Sequence, residues 1–395
     1  MGRAVRDRDW VVVGATPQEM MDRGFKPVGK DFPVFLHPET KEEYALARAE
    51  RKIGKGYRGF EINSDPSITL EQDLIRRDLT MNAIAQNRRG QFLDPHGGIQ
   101  DIKSGRIKHV SSAFEEDPVR ILRTARFAAR YADRGMIIDP KTNELMSKMV
   151  DNGEVDSLVA ERAWQELESV LMQGEVAVFI GVLRQCGALK RIFPEVDALF
   201  GVPQVKKYYP EIDTGKHVLM ALEAAEKLTS DAVLRFSILV HDLGKALTPV
   251  SELPSHRGHE HRGLQPVNNL CDRLRVPGKY RDLALKVCEF HLHCHRLDEL
   301  KPATVFKLLE HLNGFRKPEN VRNFAICCKA DMQGRTGFEN VPYPQAEHLC
   351  QLHHSALSVD TREISMSQRS GPEIDSAIRR ARIDAIAEKK QQLLR

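Results

Sequence analysis

The chain has 395 residues, of which 41% are hydrophobic and 29% charged, with a formal net charge of +4 and a pI near 8.6. This length accommodates roughly two or three domains, and the mild positive charge permits a nucleic-acid partner without requiring one. No apolar run approaches the length of a membrane span. The seven cysteines, an odd number without a C-x-x-C pair, indicate reduced thiols, so we expect a cytoplasmic protein with no membrane partner.

Two aspartates stand at the start of the first predicted strand. Asp7 and Asp9 precede the aromatic and β-branched run 10–13, which ends at a glycine and predicts a strand. Residues two apart in a strand point to the same face, so the two carboxylates would repel each other unless a cation lies between them. Mg²⁺ with an incoming phosphate is the usual solution. A solvated turn is the alternative.

A hairpin is predicted next, after a helix with Thr16 as its cap and Pro17 in its first turn. Its strands cover residues 34–37 and 43–48, and Glu43 opens the second strand. Glu43 is our candidate for a third acid beside the aspartate pair, as a two-metal site requires. An edge-strand acid that faces solvent is the alternative.

The stretch 73–85 (DLIRRDLTMNAIA) carries the first arginine motif. Its second half is predicted to form a short helix, with Asp78 near the helix start. Arg77 follows Arg76, and such a pair at a helix start suits a triphosphate because guanidinium groups and backbone N–H donors act together there.

The stretch 116–131 carries the second arginine motif and predicts a helix that begins near Pro118. Asp117 and Arg120, one turn apart, offer the acceptor and donors needed to hydrogen-bond a base edge. A charged outer helix face is the alternative. The helix places its arginines on one face and its apolar residues on the other. The arginines are Arg120, Arg123, Arg126 and Arg130.

Histidines concentrate later in the chain, where eight of the 15 lie between positions 217 and 295. An apolar helix over 234–240 ends in the doublet His241-Asp242, and charged residues are rarely placed there without a partner. Together with His217, the later histidines and Asp331, the doublet suits a nitrogen and oxygen site for a divalent transition metal. Chance clustering is the alternative.

The order of these motifs resembles the class II tRNA nucleotidyltransferases along nearly the whole chain. The segments that carry the resemblance are D-x-D with its strand, RRDLTMNAIA, EDPVRILRTARFAARY, ERAWQE and HDLGK. It implies an α+β, polymerase-β-like nucleotidyltransferase domain with a mixed sheet, followed by all-α domains. The implied division is a catalytic domain over 1–110, a base-recognition and RNA-binding domain over 111–200, an HD phosphohydrolase domain over 201–315 and a helical C-terminal region over 316–395.

The resemblance also implies an activity, the template-independent addition of C, C and A to tRNA 3′ ends from CTP and ATP. Asp7 and Asp9 would hold Mg²⁺, Arg77 would contact the triphosphate, and Asp117 with Arg120 would read the base. Supporting roles would fall to Arg123, Arg126 and Arg162. The protein would act as a monomer or homodimer.

In the HD domain the resemblance implies a divalent transition metal, with Ni²⁺ as one candidate. His241 and Asp242 would be central to its phosphatase, 2′-nucleotidase and 2′,3′-cyclic phosphodiesterase chemistry. The implied ligands are His217, His241, Asp242, His259, His291 and Asp331.

The chain departs from the family pattern at its start. The family places a strand and a G-G-x-V-R-D loop before the D-x-D, whereas residues 1–10 align with the later segment L-G-x-x-V-[KR]-D-x-D-[WY]. We therefore expect that about fifteen residues, one strand and a tight turn, are missing.

Three rival functions follow from the same motifs. A poly(A) polymerase of the same class would share the D-x-D and both arginine motifs. An HD phosphohydrolase with a transferase half inactivated by the truncation is the second rival. A non-catalytic RNA-binding protein is the third.

Overall fold

The computed structural model describes residues 8–28, 33–52, 60–367 and 370–394. The chain divides into two compact units. The first covers Met1–Val159 with the short segment Gln185–Ala188, and the second covers Ala160–Arg184 and Leu189–Arg395. The finer division into four segments stays a prediction.

The first unit combines short strands with five helices in its described residues. Its strands are β1 Asp9–Val12, β2 Lys26–Val28, β3 Val34–Leu36, β4 Glu43–Leu46, β5 Ala49–Lys52, β6 Phe60–Asn63, β7 Ala85–Gln86, β8 Phe92–Leu93, β9 Arg106–Ile107 and β10 Ile137–Ile138. Its helices are α1 Pro17–Asp22, α2 Leu70–Leu74, α3 Gly98–Lys103, α4 Val119–Arg130 and α5 Pro140–Asp151.

The principal sheet is mixed and has the strand order β1-β4-β3-β2. β1 pairs with β4 in parallel, and the other pairings are antiparallel, so the hairpin of β3 and β4 is confirmed. β4 ends at Leu46, two residues earlier than predicted, and the N–H of Arg48 donates to the side chain of Asp73 rather than to a neighbouring strand. Helix α1 has the predicted cap, in which Thr16 and Glu19 satisfy each other's backbone N–H groups.

The predicted helix over the second half of 73–85 is wrong, because only the 3₁₀ turn Thr80–Asn82 forms there. The backbone at Leu79 is extended and forms an antiparallel bridge with His109 instead. Thr80 N donates to the carbonyl of Lys108, and Val110 N donates to that of Asp78. These bonds use backbone groups that a longer helix would need.

Helix α4 has the predicted two faces. Its apolar residues are buried, with Ile121, Leu122 and Ala125 fully so, and its four arginines are half-buried on the other side. The guanidinium of Arg126 lies over the aromatic ring of the buried Phe127, 4.7 Å from the ring centroid.

The second unit is helical in its described residues, with short 3₁₀ turns between the helices. In that described part no helix is both long and apolar enough to cross a membrane. The helices are α6 Ala160–Gln173, α7 Val176–Gln185, α8 Ala188–Ile192, α9 Pro194–Asp197, α10 Thr214–Leu228, α11 Ala232–Val240, α12 His259–Arg262, α13 Leu264–Leu274, α14 Gly278–His295, α15 Pro302–His311, α16 Glu319–Gln333, α17 Pro344–Leu357, α18 Thr361–Ser367 and α19 Gly371–Leu393.

Candidate active sites

Asp9 and Glu43 lie side by side at one end of the mixed sheet. Each is the exposed first residue of its strand, and the two are register partners in the parallel pairing of β1 with β4. Register partners point to the same face of a sheet, and neighbouring strands are about 4.8 Å apart. Two carboxylates from different strands therefore share one exposed surface. Asp7, the other predicted metal-binding aspartate, lies outside the described residues.

The neighbouring acid Glu42 has a structural role, because its side chain bonds to residues of β1 and of the turn before β4. Its Oε2 accepts hydrogen bonds from Trp10 Nε1 and Thr40 Oγ1, both at 3.2 Å. The Trp10 ring also stacks on Tyr44, with ring centroids 5.4 Å apart. These contacts hold the ends of β1 and β4 together, so Glu42 positions the strand that carries Glu43.

The first arginine motif is held by a buried carboxylate. Asp73 is 1% exposed and pairs with Arg76 at 2.5 Å and with Arg77 at 3.2 Å. Burial alone raises the pKa of Asp73, but the two arginines outweigh it and the pKa lies below its ordinary value. Asp73 also accepts the N–H of Arg48, just beyond β4. The motif is thus fastened to the chain that follows Glu43.

Asp78 links the two arginine motifs. Its Oδ2 is 2.6 Å from Arg123 Nε, and its Oδ1 accepts from Asn82 Nδ2 and the N–H of Leu79. Burial favours the neutral acid, yet the Arg123 guanidinium lowers the pKa of Asp78 below its ordinary value. Helix α4 is therefore anchored to the 3₁₀ turn through an ionised, nearly buried carboxylate.

Asp117 and Arg120 lie at the start of α4, where the sequence places the base-reading pair. Asp117 Oδ1 accepts the N–H of Val119. Arg120 donates to the carbonyls of Ala113 and Arg76 at 2.7 and 2.8 Å. The structure thus brings Arg120 to the backbone of the first arginine motif, with Arg77 next in sequence. Arg162, the last predicted nucleotide-binding residue, lies on α6 in the second unit.

In the second unit, six histidines and aspartates converge where five helices meet. His217 lies on α10, the doublet His241-Asp242 follows α11, His259 begins α12, His291 lies on α14 and Asp331 on α16. None of these residues is more than 5% exposed. We call the six residues the ligand cluster: His217, His241, Asp242, His259, His291 and Asp331.

The histidines of the ligand cluster are oriented by hydrogen bonds on one side of each ring. The carbonyl three residues earlier in the chain lies 2.7 Å from Nδ1 of both His241 and His259. The carbonyl four residues before His291 lies 3.0 Å from its Nδ1, whereas the ring of His217 forms its hydrogen bond through Nε2, with Asp331 Oδ1 at 3.0 Å. Because a carbonyl only accepts, Nδ1 of His241, His259 and His291 carries a proton, and when the ring is neutral its Nε2 presents a lone pair. This is the arrangement of metal-binding histidines.

Asp242 lies between two groups of ligand atoms. Its Oδ2 is 3.3 Å from His241 Nε2, and its Oδ1 is 3.3 Å from His259 Nε2. His241 Nε2 and Asp242 Oδ1 are buried and have no hydrogen-bond partner in the described part of the chain. The two groups are His217, His241 and Asp331 on one side, and Asp242, His259 and His291 on the other.

These separations fit a divalent transition metal. Nε2 of His217 is 3.0 Å from Asp331 Oδ1, and Nε2 of His259 is 3.2 Å from that of His291. Two imidazole lone pairs at that distance repel unless a cation lies between them. Ligands about 2.1 Å from one ion are separated by such distances, and nitrogen with carboxylate oxygen is a common donor set for these ions.

Charges around the ligand cluster keep its carboxylates ionised. Burial alone raises the pKa of Asp242, but His241 and Lys245 outweigh it and hold the pKa well below its ordinary value. Asp331 behaves in the same way, through His295 and Arg335. Burial and the proximity of other histidines lower the pKa of His291 well below its ordinary value, which keeps this ring neutral and able to bind a metal.

Several residues around the ligand cluster escaped the sequence analysis. Lys245 Nζ is 2.7 Å from Asp242 Oδ2. The motif HDLGK could have predicted this pairing, since it puts Lys245 three residues after Asp242. His295 Nε2 is 2.6 Å from Asp331 Oδ2, and Arg335 is 3.5 Å from Oδ1 of the same carboxylate. Arg335 follows Asp331 by four residues, a spacing that could have predicted the pairing.

Two family models match the chain. The Poly A polymerase head domain matches residues 1–108, and the probable RNA and SrmB-binding site of polymerase A matches residues 135–200.

Among curated proteins, the chain is 52% identical to the multifunctional CCA protein of Thioalkalivibrio sulfidiphilus, covering 99% of this chain and 96% of that protein. It is 54% identical to the multifunctional CCA protein of Teredinibacter turnerae, covering 98% and 96%.

Solved structures confirm the predicted fold class. The CCA-adding enzyme of Thermotoga maritima complexed with tRNA has a TM-score of 0.61 at 18% identity, covering 99% of this chain and 87% of that chain. The Bacillus stearothermophilus CCA-adding enzyme in complex with CTP has a TM-score of 0.62 at 20% identity, covering 98% and 85%. The fold is a polymerase-β-like head with a mixed sheet, followed by helical regions.

Proposed function

The chain belongs to the multifunctional CCA protein family, and from this premise we propose that it adds and repairs the 3′-terminal CCA of tRNA with CTP and ATP. The structural observation that carries the proposal is the register pairing of Asp9 with Glu43. Two exposed carboxylates on adjacent strands suit the magnesium site of a nucleotidyl transfer. Beyond the opposite end of β4, the N–H of Arg48 donates to Asp73, which ties the sheet to the arginine motif that we expect to bind triphosphate.

In the proposed reaction the tRNA 3′-hydroxyl attacks the α-phosphate of the nucleotide, and pyrophosphate leaves. Asp9 and Glu43, with Asp7, would hold Mg²⁺, which neutralises charge on the phosphate oxygens when bound. Arg77 would contact the triphosphate, because its guanidinium is one-third exposed and aligned by Asp73. A fixed guanidinium matches phosphate oxygens in a two-point contact.

Base choice would fall to Asp117 and Arg120. The carbonyls of Ala113 and Arg76 fix the Arg120 guanidinium, and Arg123 fixes α4 through Asp78. A pair that offers both an acceptor and donors can match cytosine and adenine in turn without a template. Arg126 would support the nucleotide from α4, and the supporting role of Arg162 on α6 stays a prediction.

We further propose a metal-dependent phosphohydrolase activity in the second unit. The ligand cluster would hold a divalent transition metal ion, with Asp242 next to His241 on one side and His259 on the other. When bound, such an ion supplies Lewis-acid stabilisation of the charge that develops on a phosphoryl oxygen. Lys245 keeps its charge, since Asp242 outweighs burial and raises its pKa, and it holds that carboxylate in place. The proposed substrates are phosphate monoesters and 2′,3′-cyclic phosphates.

The transferase proposal is tested with tRNA that lacks its 3′ end. The full chain is incubated with Mg²⁺ and labelled CTP alone, ATP alone, or both, and the products are sized. We expect two C residues from CTP alone and a completed CCA from the mixture. Glu43→Gln should reduce incorporation by about 100-fold or more. Glu39→Gln, an exposed acid in the preceding turn, is the matched control and should behave as the unaltered chain.

The outcome with CTP alone decides between related polymerases. Addition of A residues without C, or a run of A residues, would contradict the proposal and favour a poly(A) polymerase. Equal activity of the Glu43→Gln and unaltered chains would remove Glu43 from the metal site.

The phosphohydrolase proposal is tested with p-nitrophenyl phosphate and a 2′,3′-cyclic nucleotide, after chelation and reloading with Ni²⁺, Co²⁺ or Mn²⁺. His241→Ala should abolish metal-dependent hydrolysis, because it removes a buried ligand. His261→Ala changes an exposed histidine two residues after His259 and should leave hydrolysis unchanged. Hydrolysis that persists in His241→Ala would place the activity elsewhere.

A further inference from the structure

Two buried donors beside the ligand cluster have no hydrogen-bond acceptor. Gln204 is 2% exposed, and its Oε1 accepts a hydrogen bond from Lys245 Nζ at 2.6 Å, while its Nε2 has no partner in the described part of the chain. Arg335 Nε is likewise buried and unpartnered among described residues. Buried donors are nearly always satisfied, so these two unsatisfied donors indicate a ligand.

The aromatic ring of Tyr209 contacts Lys245, Arg335 and His217. Lys245 Nζ lies 4.2 Å from the ring centroid, and Arg335 Cζ lies 4.5 Å from it. The same ring meets His217 edge-on, with centroids 4.9 Å apart. The two cations, and Gln204 through Lys245, therefore surround one ring that borders the ligand cluster.

The charges at this place favour an anion once a metal is bound. Glu211, Asp242 and Asp331 contribute three negative charges, and Lys245 and Arg335 contribute two positive ones. The net charge of minus one becomes plus one with a single divalent ion. Burial strengthens the attraction of such an excess for an anion because the surroundings screen it poorly. Arg335, at 12% exposure of its side chain, lies nearer to solvent than the ligands.

We propose that Gln204 Nε2 and the Arg335 guanidinium, with Lys245, form a phosphate-binding subsite that holds the non-bridging oxygens of the phosphoester substrate. The inference rests on the proposed phosphohydrolase function and names the residues that would recognise the phosphoryl group. An amide donor and a planar guanidinium suit phosphate oxygens, and Tyr209 fixes the cations in place. A merely structural Gln204 would need only its Oε1.

The test measures binding of inorganic phosphate to the Ni²⁺-loaded full chain by titration calorimetry. Gln204→Glu keeps the acceptor for Lys245 but removes the amide donor and adds a negative charge. Arg335→Gln removes the guanidinium. Each should raise the Kd for phosphate about 10- to 100-fold, the loss typical of a hydrogen bond to a charged group. Gln265→Glu adds the same charge at an exposed position of α13 and should leave the Kd unchanged.

Metal content and unfolding temperature are measured for every variant. Arg335→Lys keeps the charge beside Asp331 and should give an intermediate Kd because it lacks the planar fork. Unchanged phosphate affinity in fully loaded Gln204→Glu and Arg335→Gln would overturn the subsite, even if the chain hydrolyses phosphoesters. Loss of metal from both would also overturn it, since the residues would then serve the ligand cluster. Phosphate binding that depends on Gln204 without any hydrolysis would refute the proposed activity and support the subsite.

Discussion

Asp9 and Glu43 stand exposed at the end of a sheet, whereas the six residues of the ligand cluster are at most 5% exposed. The first pair depends on strand register alone to bring its carboxylates together. In the ligand cluster, Nδ1 of His241 and Nδ1 of His259 are each hydrogen-bonded to a backbone carbonyl, and Lys245 pairs with the carboxylate of Asp242. An exposed pair can accept an ion together with a bulky substrate, while a buried cluster is organised before any ligand arrives.

The two sites should therefore respond differently to substitution. At the end of the sheet, a substitution of Asp9 or Glu43 should lower catalytic activity with little effect on folding, because exposed side chains contribute little to stability. In the ligand cluster, a substitution should affect metal binding and stability together, because each residue is buried among charged neighbours.

Asp9→Asn should produce the largest change. It removes a negative charge from the acid pair without changing shape, so incorporation of CTP into tRNA should fall about 1000-fold. The unfolding temperature should stay within about 1 °C, since Asp9 is exposed. Nucleotide incorporation and thermal unfolding on the same sample check both points. A large drop in unfolding temperature would mean that Asp9 braces the sheet.

Asp242→Asn should have an effect of about 100-fold or more on phosphoester hydrolysis. The substitution removes the carboxylate that addresses both ligand groups, and it leaves Lys245 buried without its ionic partner. Metal bound per chain, measured by elemental analysis, should fall in parallel. Hydrolysis without bound metal would contradict the metal-centre interpretation.

Gly244→Ala should have a smaller effect on the same site. A Cβ at this position would collide with the carbonyl oxygen of His259, which is rigid backbone. Helix α12 must shift, so we expect about 10-fold weaker hydrolysis and a loss of about 1–3 kcal/mol in unfolding free energy. Gly181→Ala, where a Cβ meets nothing within 4 Å, is the matched control. Equal behaviour of the two variants would indicate that α12 moves freely.

Asp78→Asn should change stability by about 1–3 kcal/mol at neutral pH, because it weakens a nearly buried pairing with Arg123. The folded protein holds the pKa of Asp78 below its ordinary 3.8. Its contribution is therefore complete above that value and disappears as the pH falls through the lower folded pKa. Unfolding curves between pH 7 and pH 3 should show the two chains converging in acid. A constant difference would contradict an ionised Asp78.

Much of the fold could be predicted from local pattern. The β-branched run gave β1, the acid after the turn gave the start of β4, and arginine spacing gave the two faces of α4. The turn Thr80–Asn82 could not be predicted, because its length depends on backbone bonds to residues about 30 positions later in the chain. Local propensity carries no information on such pairing.

The candidate sites divide in the same way. Residue type drew attention to the histidines and acids on apolar helices, and the family resemblance then selected the six candidate ligands among them. The roles of Gln204 and Tyr209 could not be predicted, because they arise only where the folded chain places both residues against Lys245. Ordinary residue types in a loop give no signal until their neighbours are known.

The most direct test of two independent centres measures both activities in Asp9→Asn and Asp242→Asn, with metal content, on matched samples. We predict that Asp9→Asn loses nucleotide incorporation while keeping its transition metal and phosphoester hydrolysis. Asp242→Asn should lose metal and hydrolysis while keeping incorporation. Loss of both activities in either variant, in a chain that remains folded at the assay temperature, would contradict the account.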